Sequence, residues 1–299
     1  MAQITVQSGL SFEYESFGDD ADPAVLMVMG FGAQLVSWPR EFCAQLAAAG
    51  RRVIAFDNRD CGRSAKLDGR EPPLEQIQLA AAAGDFARAR ELAPYTFSDM
   101  SDDGFDLLGA LGMERAHVVG VSMGGMIAQT MAIEHPERVL TLTSIMSHTG
   151  EPEYGQAQPE VRAALLAPEP EDRDAYIESA STWLAWHSRR YPELEQTRAI
   201  AAETYDRGLC PAGTRRQLAA MLASGPRAEG LSRLRVPTLV IHGLDDTLIA
   251  PSGGERTAAL VPGAKLMLLE DMGHDRPRPL WPRLCDAIAE HTAAAQPAT

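Results

Sequence analysis

Residues 117–129, HVVGVSMGGMIAQ, run from an apolar, β-branched segment into a serine between glycines and then into alanine- and methionine-rich sequence of helical character. Ala116 to Gly120 reads as a short buried strand, and Met126 to Glu134 carries helix formers with an apolar stripe. Ser122 therefore falls in the turn between them. A strand that reverses into a helix within a few residues strains the turning residue, and side chains on its neighbours would collide. Gly120 and Gly124 remove those collisions. The G-x-S-x-G pattern thus predicts an elbow that lifts a serine hydroxyl above the end of a sheet and aims a helix N-terminus at it. The following amide, that of Met123, would face an oxyanion developing there.

Outward from the elbow, strand-like and helix-like segments alternate. Ile4 to Val6 and Ser11 to Phe17 read as strands, and Ala24 to Met29 is an uninterrupted apolar run of the kind buried on both faces of a sheet. Arg52 to Asp57, Arg138 to Met146, Val236 to His242 and Ala264 to Leu269 are further β-rich runs. Trp38 to Ala49 and Phe97 to Leu111 read as helices stopped by glycine. Strands separated by helices imply right-handed crossovers and a mostly parallel sheet, an α/β protein. Two segments break the alternation. Residues 65–94 contain a short alanine-rich helix pair broken at Gly84, expected as an insertion on the sheet's edge. Residues 148–235 form a longer helical block that must leave the sheet and return. This block is expected as a cap over the carboxyl ends of the strands, with residues 1–147 and 236–299 as the core.

A serine hydroxyl needs a base to take its proton, and the base needs a partner to hold its tautomer. Of seven histidines, His274 follows the last strand within a loop that can reach the elbow. His148, just past a strand's carboxyl end, is the rival; His117 and His242 belong to strands, His187 to the helical block, and His135 and His291 read as solvent-facing. For the acid, HGLDDTLIAP after the strand at 236–242 offers Asp245 and Asp246. The order serine, acid, histidine, each following a strand's carboxyl end, is that of one hydrolase architecture.

DNRDCGRS, GVSMGG, VIHGLDD and MGH occur in the order and at the spacing of the α/β-hydrolases, which the chain resembles over essentially its whole length. The VMG start of the loop after the third strand, the SWP that follows and MGHD resemble the bacterial aclacinomycin methylesterase-like branch. The resemblance implies an eight-stranded sheet with helices on both faces and an inserted cap. It selects Asp246 over Asp245 as the acid and maps the second oxyanion donor to the backbone amide of Phe31. Met29 stands where the family usually has histidine, a change that a backbone donor survives. Asp57 and Arg59 match a structural turn of the family, and Cys61 beside them is read as packing.

The implied chemistry is hydrolysis of carboxylic esters of small to medium apolar substrates by a serine enzyme, through an acyl-enzyme intermediate and without metal or cofactor. The same triad also serves perhydrolases, lactonases, C–C bond hydrolases and acyltransferases, and the fold also occurs in ligand-binding homologues without turnover. Serine at the elbow excludes the dehalogenases and epoxide hydrolases, which need a carboxylate there. Trp183 and Trp186 are expected first as the cap's own core and second as the wall of a substrate pocket. A net charge of −14 in 299 residues argues against nucleic acid or an anionic membrane as partner. Four scattered cysteines fit a reducing cytoplasm. No signal peptide or membrane span is evident, and the tail HTAAAQPAT is expected to fray.

Overall fold

A computed structural model of the chain describes residues 1–294. Eight strands form one sheet: β1 (Ala2–Thr5), β2 (Ser11–Phe17), β3 (Ala24–Val28), β4 (Arg52–Phe56), β5 (Ala116–Val121), β6 (Val139–Ile145), β7 (Thr238–Gly243) and β8 (Lys265–Leu269). Their spatial order is β1-β2-β4-β3-β5-β6-β7-β8. The β1–β2 and β2–β4 pairings are antiparallel and the other five are parallel. Every residue of β3, β5 and β7 is buried, because helices cover both faces of the sheet.

The helices are α1 (Arg40–Ala47), α2 (Leu74–Ala82), α3 (Phe86–Leu92), α4 (Phe97–Ala110), α5 (Met123–Glu134), α6 (Pro159–Leu165), α7 (Arg173–Ser179), α8 (Leu194–Arg207), α9 (Pro211–Ser224), α10 (Ala228–Arg233), α11 (Ser252–Leu260) and α12 (Trp281–Ala294). Side chains alternate across a strand, so β3 feeds two cores. Leu26 and Val28 join Phe105, Ile127 and Met131 of α4 and α5 on one face. Val25 and Met27 join Phe42, Leu46, Leu284 and Ile288 of α1 and α12 on the other. No helix among the described residues is long and apolar enough to cross a membrane.

Four local expectations need correction. The helix expected from Trp38 starts at Arg40: Trp38 precedes Pro39 and is held extended, with φ −89° and ψ 103°. His291 does not face solvent; it is buried, and its Nε2 lies 3.2 Å from the carbonyls of Leu142 and Pro237. Residues 291–294 do not fray but complete α12, while the rest of the tail lies outside the described residues. The helix pair α2 and α3 does not cover a sheet edge. It packs on α9 through Ile77, Ala89, Ala219 and Ala223, burying its alanine face against a second alanine-rich helix.

Helices α6 to α10 all lie between β6 and β7 in sequence. The last of them, α10, packs back on α5 and α11. Arg207, at the end of α8, contacts both Asp57 and Glu13 and donates to Gln34 Oε1 at 2.7 Å. Arg216 of α9 grips Asp60 with bonds of 2.8 and 2.7 Å. These buried pairs fasten the inserted helices to the loop that follows β4.

Candidate active site

Ser122 sits between β5 and α5 with φ 55° and ψ −124°, a backbone conformation that side chains rarely adopt. The glycines beside it meet close backbone. A Cβ on Gly120 would lie 2.1 Å from the Gly124 carbonyl oxygen, and one on Gly124 would lie 2.1 Å from that of Val28. The strained turn is held from β6, where the Ser122 amide donates to the Ile145 carbonyl at 3.0 Å. The Ser147 hydroxyl donates to the Ser122 carbonyl at 2.8 Å.

Asp246 and His274 meet across the carboxyl ends of β7 and β8: His274 Nδ1 is 2.7 Å from Asp246 Oδ2. The other carboxylate oxygen accepts the amides of Leu248 and Ile249 at 2.9 and 2.8 Å. His242 completes the surround. Its Nε2 lies 2.8 Å from the Ile249 carbonyl, which can only accept, so this nitrogen carries the proton and also lies 3.5 Å from Asp246. Burial alone would raise the Asp246 carboxyl, but the His274 and His242 rings outweigh it and hold it at about 2. Asp245 points elsewhere, accepting the Arg189 amide at 3.3 Å. His148 Nδ1 accepts the Gly150 amide at 3.0 Å, and burial keeps the ring neutral, its pKa pushed down to about 3.

Ser122, His274, Phe31, Trp183 and Trp186 line one cavity of about 410 Å³. Asp246 sits behind His274, and the Met123 side chain turns into the core, leaving its amide at the start of α5 without an intrahelical acceptor. Gly30 brings the Phe31 loop against the elbow, since a Cβ there would lie 3.1 Å from that of Ser122. Asp57 holds this loop by accepting the Leu35 amide at 2.7 Å, and Arg59 pairs with Asp103 at 2.5 and 2.7 Å. Cys61 is buried with its Sγ 3.1 Å from the Ala33 carbonyl, and burial pushes its thiol far above the ordinary range. Among the described residues no group of His, Cys, Asp or Glu side chains could hold a metal ion.

Several residues at the site escaped the sequence reading. Gln217 of α9 accepts the Gly32 amide at 2.9 Å and donates to the Arg59 carbonyl at 3.0 Å, tying the inserted helices to the Phe31 loop. His187, Tyr176 and Arg276 line the cavity. Arg276 follows His274 by two positions, and that proximity was the one available signal. Nothing local distinguishes Gln217 from any other helical glutamine.

A family model of the alpha/beta hydrolase fold matches residues 23–275. The chain is 30% identical to the rhodomycin D methylesterase DauP of a Streptomyces species, over 94% of both chains. It is 29% identical to the rhodomycin D methylesterase DnrP of Streptomyces peucetius, again over 94% of both. Among solved structures it resembles a meta-cleavage product hydrolase from Pseudomonas fluorescens, with a TM-score of 0.75 and 21% identity over 99% of this chain and 98% of the other. It also resembles an esterase from Rhodococcus, with a TM-score of 0.70 and 21% identity over 99% of both. With eight strands in this order and the family model spanning most of its length, the chain belongs to the α/β-hydrolase fold family.

Proposed function

We propose that this protein is a carboxylic ester hydrolase that works through an acyl-serine. The carrying observation is that Ser122, on a strained elbow, shares a cavity with His274, whose Nδ1 is held by the buried Asp246. The methylesterase relatives support ester hydrolysis. In this reading Ser122 Oγ bonds to the ester carbonyl carbon as His274 Nε2 takes its proton. The oxyanion is received by the amides of Phe31 and Met123. Collapse breaks the carbon–alkoxide bond, and the alcohol leaves with the proton from His274. Water then adds, giving its proton to His274, and the acid departs as that proton returns to Ser122.

Residues 148–235 act as the cap, with Trp183 and Trp186 as walls of the pocket. The free thiols of Cys43, Cys61, Cys210 and Cys285 support a reducing, cytoplasmic setting. The test is Ser122→Ala with a chromogenic butyrate ester and a fluorophosphonate probe. Turnover should fall by about 10⁴-fold or more and single-site labelling should vanish, with the thermal transition retained. Near-normal turnover, or labelling of another serine, would overturn the mechanism.

A further inference from the structure

Arg276 is an unusual wall for an apolar cavity. Its neighbours there include Met29, Phe31, Trp186 and Leu248. Its guanidinium lies over the Trp38 ring at 4.4 Å, and Nη2 donates to the Ser37 carbonyl at 2.6 Å. No other side-chain donor of Arg276 has a protein acceptor among the described residues, and Nε is buried without a partner. It forms no ion pair there either, although the chain holds 41 acidic residues against 27 Lys and Arg. Asp275 adjoins it in sequence, but its Oδ1 accepts the amides of Ser188 and Gly273, at 3.0 and 3.1 Å, instead of a guanidinium hydrogen. Burial pulls the Arg276 pKa down to about 10, so the group stays cationic at neutral pH.

A half-buried guanidinium to which no carboxylate is hydrogen-bonded is costly, and its terminal edge, Nη1 and the second Nη2 hydrogen, has the planar geometry that carboxylates match with two bonds. The cavity is polarised as well. Arg276 lies on the core side, in the loop that carries His274, while Glu169 lines the same cavity from between α6 and α7. The cation therefore draws an anion to the core side, while burial raises the pKa of the Glu169 carboxyl opposite.

Resting on the ester-hydrolase reading above, we infer that the substrate carries a free carboxylate beside its ester and that Arg276 receives it. The substrate class is the monoester of a dicarboxylic acid, or an ester otherwise bearing a carboxylate within the reach of a 410 Å³ cavity. Arg276 then determines specificity: it contacts the substrate away from the scissile bond and selects against neutral esters of the same length.

The experiment compares the mono-4-nitrophenyl ester of glutaric acid with 4-nitrophenyl pentanoate, in the wild type, Arg276→Gln and Arg276→Lys. In the wild type kcat/KM should favour the acidic ester, and Arg276→Gln should reduce that preference by about 10- to 100-fold, the worth of a charge-assisted hydrogen bond. The loss should fall mainly in KM, and Arg276→Lys should restore part of it. Calorimetric titration of glutarate needs no turnover: it should bind the wild type, bind Arg276→Gln at least about tenfold more weakly, and weaken with added salt. An equal loss on both esters would reduce Arg276 to packing on Trp38 and overturn the inference, with ester hydrolysis intact. Glutarate binding that depends on Arg276, without turnover of either ester, would uphold the carboxylate site and overturn the ester reading.

Discussion

The His274 amide donates to the Trp186 carbonyl at 2.6 Å, so the backbone of the inserted helices is bonded directly to the loop that presents the histidine. The approach is tight: a Cβ on Gly273 would lie 2.5 Å from the same Trp186 oxygen. The wall of the pocket and the proposed base are thus one mechanical unit. Any change in how the inserted helices pack will reach His274.

Trp183, which lines the cavity while half-buried, offers a cleaner handle on substrate size than the more buried Trp186. Each methylene added to an acyl chain should raise kcat/KM by up to about fourfold, the equivalent of about 0.8 kcal/mol, until the pocket is full. Activity on 4-nitrophenyl esters should therefore climb from acetate towards butyrate or hexanoate and then fall. Trp183→Ala should flatten the climb. A series still rising at palmitate would show an open site.

Asp246 and Asp245 are adjacent, yet only Asp246 touches His274. Asp246→Asn should lower kcat by about 10³- to 10⁴-fold by favouring the wrong imidazole tautomer, and Asp245→Asn should cost no more than a few-fold. Steady-state kinetics on one ester decide it, and the reverse order would place the acid one residue earlier. Stability should respond too. The folded Asp246 carboxyl is depressed from 3.8 to about 2, so its contribution is present above pH 4 and is lost as pH falls through about 2. Urea midpoints of the wild type should drop more steeply across that window than those of Asp246→Asn.

Asp275 is the opposite case. Burial pushes its carboxyl up from 3.8 to about 6, against the amides it accepts and the nearby Arg276 and His274. The folded state holds this proton more tightly, so stability is greatest below pH 4 and is lost as pH rises to about 6. Asp275→Asn keeps an oxygen for the Ser188 and Gly273 amides and has no charge to bury. It should gain stability over the wild type, about 3 kcal/mol at most, at pH 7 and little or nothing at pH 4. Thermal transitions at the two pH values check this; an unchanged difference would show that burial does not penalise the charge.

Gly124→Ala tests the elbow itself. The added methyl would meet the carbonyls of Val28 and Met29 at 2.1 and 2.6 Å, both backbone atoms of the central strand and its exit. A stability loss of about 2 kcal/mol or more should follow, with activity falling as Ser122 shifts. Gly109→Ala is the control, since nothing lies within 4 Å of a Cβ there, and it should be neutral or stabilising. A tolerated Gly124→Ala would mean that the turn relaxes freely.

The order of strands and helices, the elbow at Ser122 and the loops bearing Asp246 and His274 were legible because each depends on contacts within a few residues. Apolar runs specify buried strands, and paired glycines specify a turn too tight for side chains. Choosing Asp246 needed the family pattern, because two adjacent aspartates look alike until a partner is in place. What the tertiary structure decided involves residues far apart in the chain. His291 was read as exposed from its helix, yet the carbonyl of Leu142 receives it. The alanine faces of α2 and α3 found α9 instead of the sheet. Gln217 reaches Gly32 across 185 positions, and Arg276 lines the cavity without an ion pair. Local sequence sets the period of a segment and the conformation of a turn. Which faces meet, and which charges go unpaired, is settled only when the whole set of elements packs.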